Sequence, residues 1–149
     1  ELMEQVAPTG PIYQAGTLSG NPVAMAAGIT QLTYLNDHPE VYTKIEANTT
    51  WLADQLRALE DKYHAGTTVN QIGSLLSVFF TEQSVTNFAG AKSSDVARYA
   101  EYFRHMLAQK IYLAPAQFEA MFVGNAHTQA DLDATAAAAE QTLAAMTKA

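Results

Sequence analysis

The 149-residue sequence contains no cysteine, which excludes a disulfide framework and a thiolate-ligated metal site. Positive charge is scarce, with 8 Lys and Arg against 15 Asp and Glu, so no basic stripe is available to bind nucleic acid. No run of about 18 apolar residues is present, which argues against a membrane-spanning helix. These absences favour a globular domain without nucleic-acid or membrane partners, and the lack of cysteine suits a cytoplasmic location.

Metal-ligand spacing is also missing. The four histidines are scattered, with no H-E-x-x-H pattern, so we predict no metal site. They are His38, His64, His105 and His127. His127, in the string NAHT before the last predicted helix, is interpreted as structural.

The first ten residues, ELMEQVAPTG, lack the basic and apolar regions of a signal peptide. Residues 1–6 are typical of the end of a helix, which Pro8, Gly10 and Pro11 then stop. Because the chain starts without methionine and inside an apparent helix, we expect it to be a segment of a longer protein.

The apolar periodicity predicts an α+β domain with a small, mainly antiparallel sheet and helices on one face. The predicted helices are 22–35, 40–63, 95–110 and 129–147, and the predicted strands are 68–72, 75–81, 111–113 and 120–123. Residues 84–94 are predicted to be a loop. The helix at 95–110 is expected to point Val96, Tyr99, Phe103, Met106 and Leu107 inward.

Three sites carry helix N-cap signals. Asn21 precedes a proline at the first helical position, Ser94 precedes the helix at 95–110, and Thr128 forms a capping-box variant with Asp131. These signals place three of the four helix starts.

The most distinctive loop is YQAGTLSGNP, residues 13–22. Gly16 and Gly20 let the backbone approach a ligand closely, and Thr17 and Ser19 supply hydroxyl groups. A helix follows directly, and helix N-termini favour anions. From the residues alone, this pattern is compatible with a phosphate site and also with an ordinary turn.

The longer stretch YQAGTLSGNPVAMAAG resembles the signature of the glutamate-1-semialdehyde aminomutases, a group within the class III aminotransferase family. The resemblance continues through FFTEQSVTNFAGAKSSDVARY and YLAPAQFEAMFVGNAHTQADLD, and so covers residues 6–133. Related class III aminotransferases share the G-T-x-x-G-N-P core, but usually not the flanking YQA or the later APAQFEA.

This resemblance implies an aspartate-aminotransferase-like fold, pyridoxal 5'-phosphate (PLP) as cofactor, and a homodimer acting on a small-molecule substrate. Residues 1–35 would form the end of the large PLP-binding domain and its connecting helix, and residues 36–149 the C-terminal small domain. The implied reaction converts glutamate-1-semialdehyde to 5-aminolevulinate and feeds tetrapyrrole synthesis.

The resemblance also implies roles for individual residues. Thr17 matches a threonine that reaches the cofactor phosphate of the neighbouring subunit, and Tyr13 matches a tyrosine lining that site. Gly16 and Ser19 belong to the same cofactor-binding loop. Glu119, in QFEA, matches a glutamate on the substrate side of the pocket.

A PLP enzyme needs a lysine that forms a Schiff base with the cofactor. None of the chain's five lysines follows a buried strand with small-residue surroundings. They are Lys44, Lys62, Lys92, Lys110 and Lys148. The resemblance places the family's lysine upstream of residue 1, so we assign no catalytic residue here and expect the chain alone to be inactive.

The sequence departs from the family at Lys110-Ile111, where glycine followed by valine is usual. Without glycine, the helix must end by another route or with some strain. Two alternatives remain open: another class III aminotransferase that uses a separate keto acid, or a non-catalytic C-terminal module that associates with itself.

Overall fold

The computed structural model describes residues 1–147 and divides the chain into two compact units, Glu1–Pro39 and Glu40–Ala149. Unit 1 contains a 3-10 turn at Met3–Gln5 and one helix, α1 (Pro22–Asp37). Unit 2 contains the sheet and the remaining helices.

Helix α1 begins where the sequence predicts. The Asn21 side chain accepts hydrogen bonds from the backbone N–H groups of Val23, at 3.0 Å, and Ala24, at 3.1 Å. Pro22 follows the cap and has no N–H that would need a partner. The helix runs two residues beyond the predicted end at Leu35, and none of its residues is buried.

Unit 2 confirms the predicted α+β class. Its sheet is antiparallel, with strand order β1-β2-β3. In chain order the elements are α2 (Glu40–Tyr63), β1 (Thr68–Ile72), β2 (Leu75–Phe79), α3 (Phe88–Lys92), α4 (Val96–Ala108), β3 (Met121–Phe122) and α5 (Gln129–Met146).

One face of the sheet supplies the core, because side chains two residues apart on a strand share a face. Leu76 and Val78 of β2 are buried there. Ile72 and Leu75, paired across the opposite face, are 76% and 39% exposed. The helices contribute most of the rest of the core, including Leu52, Leu56, Tyr102, Met106, Leu132 and Leu143.

Two expectations for residues 84–95 are wrong. The predicted loop contains α3, which Asn87 caps by accepting from the Gly90 N–H at 2.9 Å. The cap of α4 is Asp95, not Ser94, and its carboxylate accepts from Ala97 N–H at 2.9 Å. The Ser94 hydroxyl is buried with no hydrogen-bond partner among the described residues, so it cannot serve the helix.

The inward face of α4 is also shifted. Tyr99 and Met106 are buried as predicted, but Val96 and Leu107 are 53% and 45% exposed. Tyr102 is buried instead, since steps of three and four from Tyr99 define the packed stripe.

Of the two late strand predictions, Ile111–Leu113 is wrong and 120–123 is shortened to Met121–Phe122. The 111–113 segment has no strand partner among the described residues. Strand β3 pairs only with the first two residues of β2. Leu113 is buried in the core and Ile111 packs against it, but Tyr112 is 73% exposed, so the segment touches the core without joining the sheet.

Helix α4 ends without glycine. Lys110 takes φ 68°, in the left-handed region, and donates its N–H to Leu107 O at 2.9 Å. Ile111 N–H reaches back to Met106 O at 3.0 Å, which completes a Schellman motif. The chain thus keeps the usual ending at the conformational cost of a side chain in this region.

Candidate functional site

The Tyr13–Gly20 loop lies entirely at the surface of unit 1. It is closed by hydrogen bonds from Ser19 N–H to Gly16 O, at 3.0 Å, and from Asn21 N–H to Leu18 O, at 3.1 Å. Gly20 completes the turn with φ 73°, a conformation that favours glycine. All four predicted cofactor residues, Tyr13, Gly16, Thr17 and Ser19, are brought together here.

This loop carries two hydroxyl groups, those of Thr17 and Ser19. Ser19 Oγ lies over Gly16, where an added Cβ would collide with it unless the serine side chain rotated away. Thr17 Oγ1 and Ser19 Oγ are both exposed and without a hydrogen-bond partner among residues 1–147.

The first turn of α1 offers an anion less than the sequence suggests. Asn21 occupies the N–H groups of Val23 and Ala24, and its carbonyl accepts from Met25 N–H at 2.9 Å. Pro22 contributes no donor. An anion at this loop would therefore depend on Thr17 and the turn rather than on the helix terminus.

The surroundings of the loop are uncharged and apolar. Residues 5–36 contain no Asp, Glu, Lys, Arg or His, so no side chain there repels a phosphate. Several large apolar side chains of the segment are exposed, among them Ile12, Tyr13, Leu18, Val23, Ile29 and Leu32. Such a concentration marks an interaction surface rather than an ordinary solvated one.

Glu119 lies in unit 2 and is exposed. It ends a turn in which its N–H donates to Ala116 O at 3.1 Å. Its side chain lines a mainly apolar cavity of about 330 Å³, together with Leu113, Val123 and Leu132.

Two side chains to which the sequence analysis gave no role at this site fix the segment around Glu119. The Tyr99 hydroxyl donates to Ala114 O at 2.6 Å, and burial, followed by the negative charge of Glu119, raises the pKa of Tyr99 to about 12. The Gln117 side chain is buried against β2 and bonded to its backbone. A polar side chain inside an apolar run is the only sequence signal that could have pointed to Gln117.

None of the four described lysines is buried. Lys44 donates to Asn125 O at 2.8 Å, Lys62 pairs with Glu140 at 2.6 Å, and Lys92 lies 5.9 Å above the Phe88 ring. Lys110 occupies the end of α4, and Lys148 lies outside the described residues. All four lie at the surface, outside the desolvated setting that activates a Schiff-base lysine.

No group of three or more His, Asp or Glu side chains among residues 1–147 could hold a metal ion. Over the same residues, no helix combines the length and apolar character that a bilayer span requires.

The model of the class III aminotransferase family matches residues 1–128. Glutamate-1-semialdehyde 2,1-aminomutase 2 of Lachnoclostridium phytofermentans is 54% identical over 143 residues, which cover 96% of this chain and 34% of that protein. The chain thus spans about a third of the length of the curated relatives it matches.

Solved structures confirm the predicted transaminase fold. A β-phenylalanine aminotransferase from Variovorax paradoxus matches with a TM-score of 0.72 and 28% identity, over 97% of this chain and 33% of that one. A transaminase solved with PLP bound matches with a TM-score of 0.73 over 96% of this chain and 32% of that one, and at 19% identity it supports the fold alone. The sequence motif, the family match and the shared fold agree, and the chain belongs to the class III aminotransferase family.

Proposed function

We propose that this chain is the C-terminal part of a glutamate-1-semialdehyde 2,1-aminomutase. The complete enzyme would convert (S)-4-amino-5-oxopentanoate to 5-aminolevulinate with PLP, for tetrapyrrole synthesis in the cytoplasm. The observation that carries this proposal is the YQAGTLSGNP loop, whose flanking residues are those of the aminomutases, within a chain 54% identical to a protein of that name.

The two units support a division between domains. Residues 1–35 would belong to the large PLP-binding domain, because α1 buries none of its own residues and exposes apolar side chains that another part of the enzyme would cover. Residues 36–149 would form the small domain, in which α2 and the elements that follow it build a core of their own.

The cofactor-binding loop fits a phosphate group. Thr17 offers a hydroxyl with no partner among the described residues, and residues 5–36 supply no carboxylate to repel an anion. In the proposed homodimer, Thr17 would bind the cofactor phosphate of the neighbouring subunit, with Tyr13 beside it and Gly16 and Ser19 shaping the turn. PLP itself would supply an electron sink for the reaction.

Glu119 would serve the substrate side. It is exposed, and it carries a carboxylate at the edge of an apolar cavity. An ionised carboxylate accepts hydrogen bonds only, so Glu119 would bind the amino group of the substrate rather than its carboxylate. No lysine of this chain is assigned to the Schiff base, and the chain alone would therefore be inactive.

The direct test joins this chain to the part of the enzyme that it lacks. The matching third of the Lachnoclostridium phytofermentans relative is replaced by residues 1–149, and formation of 5-aminolevulinate from glutamate-1-semialdehyde is measured without an added keto acid. Product formation supports the aminomutase. A strict requirement for a keto acid would instead support the rival class III aminotransferase.

Within that joined enzyme, Thr17→Val should weaken retention of PLP about tenfold, the usual effect of losing one hydrogen bond to a charged group. Thr30→Val is the matched control, because the Thr30 hydroxyl bonds only to Ala26 O inside α1. Equal PLP retention in the two variants would contradict the role of Thr17.

The isolated chain tests the remaining alternative. Mixed with PLP, it should show no Schiff-base absorption band. A band that disappears on substitution of one of its five lysines would overturn the proposal that the lysine lies elsewhere. Self-association of the isolated chain into a defined oligomer, together with an inactive joined enzyme, would favour the non-catalytic module.

A further inference from the structure

Strand β3 is shorter than β2, the strand with which it pairs. It is two residues long and pairs with the start of β2 through Phe122 and Met121. If the same antiparallel register continued, Glu119 would lie opposite Val78. Instead, the chain passes Glu119 outside the sheet and joins β2 only at Met121, although β2 continues along that edge to Phe79.

The side chain of Gln117 takes the place of the missing strand. Its Nε2 donates to Val78 O at 2.7 Å, and its Oε1 accepts from Phe80 N–H at 3.3 Å. Gln117 is only 4% exposed. Since a side-chain amide carries a donor and an acceptor, as a peptide group does, it satisfies Val78 O on the edge of β2 and the N–H of Phe80 just past the end of the strand.

The replacement of strand pairing by the Gln117 side chain decides where Glu119 points. Met121 and Val123 pack against the core, and residues two apart on a strand share a face. A longer β3 would therefore turn the carboxylate of Glu119 toward the core, where an unpaired charge is costly. Because Gln117 occupies the edge of β2, β3 can begin as late as Met121, and Glu119 lies in a turn at the surface.

We propose that Gln117 is a positioning residue that limits β3 to Met121–Phe122 and presents Glu119 to the substrate. The Tyr99 hydroxyl, bonded to Ala114 O, holds the other end of the same segment. The presentation of Glu119 follows from the geometry of unit 2, whereas the substrate at that position rests on the proposed function.

The first test uses the 149-residue chain and nuclear magnetic resonance. Gln117→Leu should speed hydrogen exchange of the Phe80 amide about tenfold or more, since loss of its partner opens the β2 edge, and should shift the resonances of Glu119. Gln109→Leu is the matched control, because the Gln109 amide bonds Thr142 Oγ1 at 2.9 Å between α4 and α5. It should leave Phe80 and Glu119 unchanged. Unchanged Phe80 exchange and Glu119 resonances in Gln117→Leu would overturn the proposal.

A second variant keeps the test decisive if Gln117→Leu does not fold. In Gln117→Glu, a protonated carboxyl can donate to Val78 O and accept from Phe80 N–H, but an ionised one cannot donate. The ionised carboxylate would still accept from Phe80 N–H, but it would be a buried charge facing the Val78 carbonyl oxygen, so the edge of β2 should open. Protection of Phe80 should therefore fall near neutral pH and recover as the solution is acidified. Protection that is equal at both pH values would contradict the proposed bonding.

The second test measures catalysis by the joined enzyme. Gln117→Leu should lower kcat about 100-fold, as expected when a reacting group is misplaced by about 1 Å, while Gln109→Leu should not. In a Glu119→Gln background, Gln117→Leu should add little further loss, because it acts through Glu119. Fully additive losses would overturn the positioning role. If the joined enzyme forms no 5-aminolevulinate at all, the proposed function fails while the resonance test still decides the geometry.

Discussion

The two units of this chain contrast in how their helices are stabilised. In unit 1, α1 has 16 residues and buries none of them. In unit 2, α5 has a similar length and buries five residues, including Leu132 and Leu143. Both helices are rich in alanine and both begin at a polar cap, so their local signals are alike.

The difference shows that intrinsic propensity and capping define where a helix lies, while burial supplies most of its stability. Helices of about 12–15 residues are marginal in water when they are isolated. Helix α1 has helix-forming residues, the Asn21 cap and an uncharged apolar surface, but no buried residue. Helix α5 also packs five buried residues in the core of unit 2. Unit 1 thus lacks the burial that stabilises unit 2.

The largest expected effect breaks this contrast with one kind of substitution in both units. Leu143→Ala, at a residue 2% exposed, should lower the free energy of unfolding by about 3 kcal/mol through lost burial and a cavity. Leu32→Ala, at a residue 69% exposed in α1, should change it by less than about 0.5 kcal/mol. Urea unfolding of the purified chain, followed by circular dichroism, measures both.

The protein concentration provides the control for this pair. If a second copy of the chain covered α1 in solution, Leu32→Ala would become destabilising, and the effect would grow with concentration. A concentration-dependent loss comparable to that of Leu143→Ala would contradict the exposed state of unit 1.

A smaller effect compares left-handed residues. Unit 1 places glycine at such a position, Gly20 with φ 73°, and unit 2 does so at Gly66 and Gly73, but unit 2 also places Lys110 there with φ 68°. Lys110→Gly should therefore stabilise unit 2 by about 0.5–1 kcal/mol, because the strain of a Cβ in this region exceeds the added entropy of glycine in the unfolded chain. Thermal unfolding measures the gain. Lys110→Ala keeps the Cβ and should give no such gain, and equal stabilisation by both variants would show that charge, not φ, is responsible.

The smallest effect concerns pH. Hydrogen bonds from the Thr128 side chain and backbone lower the pKa of Asp131 below 3.8, and Lys62, then Tyr63, lower that of Glu140 below 4.5. Carboxyl groups with a lowered folded pKa stabilise the protein above the unfolded pKa, and this contribution is lost as pH falls through the folded pKa.

Urea midpoints of unit 2 should therefore be level at about neutral pH and fall at pH values below about 4.5. Glu140→Gln should flatten part of this decline, as should Asp131→Asn. Residues 5–36 contain no carboxylate, so the loop and most of α1 contribute nothing to it. A decline that is as steep in the variant carrying both Glu140→Gln and Asp131→Asn as in the parent chain would refute this assignment.

Much of the fold follows from local signals. Asn21-Pro22 predicts the start of α1, and the Thr128–Asp131 capping box is present as predicted, because these interactions connect residues within one turn. The Ser94 cap prediction is wrong because Asp95, one residue later, competes for the same helix start. Neighbouring polar residues of similar capping strength cannot be ranked without the surrounding contacts.

The candidate site divides in the same way. The sequence brings Tyr13, Gly16, Thr17 and Ser19 together in one loop, because they are adjacent in the chain. The roles of these residues and of Glu119 stay predictions. Gln117 was missed because its partners, Val78 and Phe80, are 37 to 39 residues away in sequence.

By itself, the sequence determined the family, the antiparallel α+β class and the position of most helices, since motif, periodicity and capping are encoded over short distances. The tertiary structure decided where β3 begins and why Glu119 faces outward. Those features depend on pairing the edge of β2 and on burial, which bring together residues that no local pattern connects.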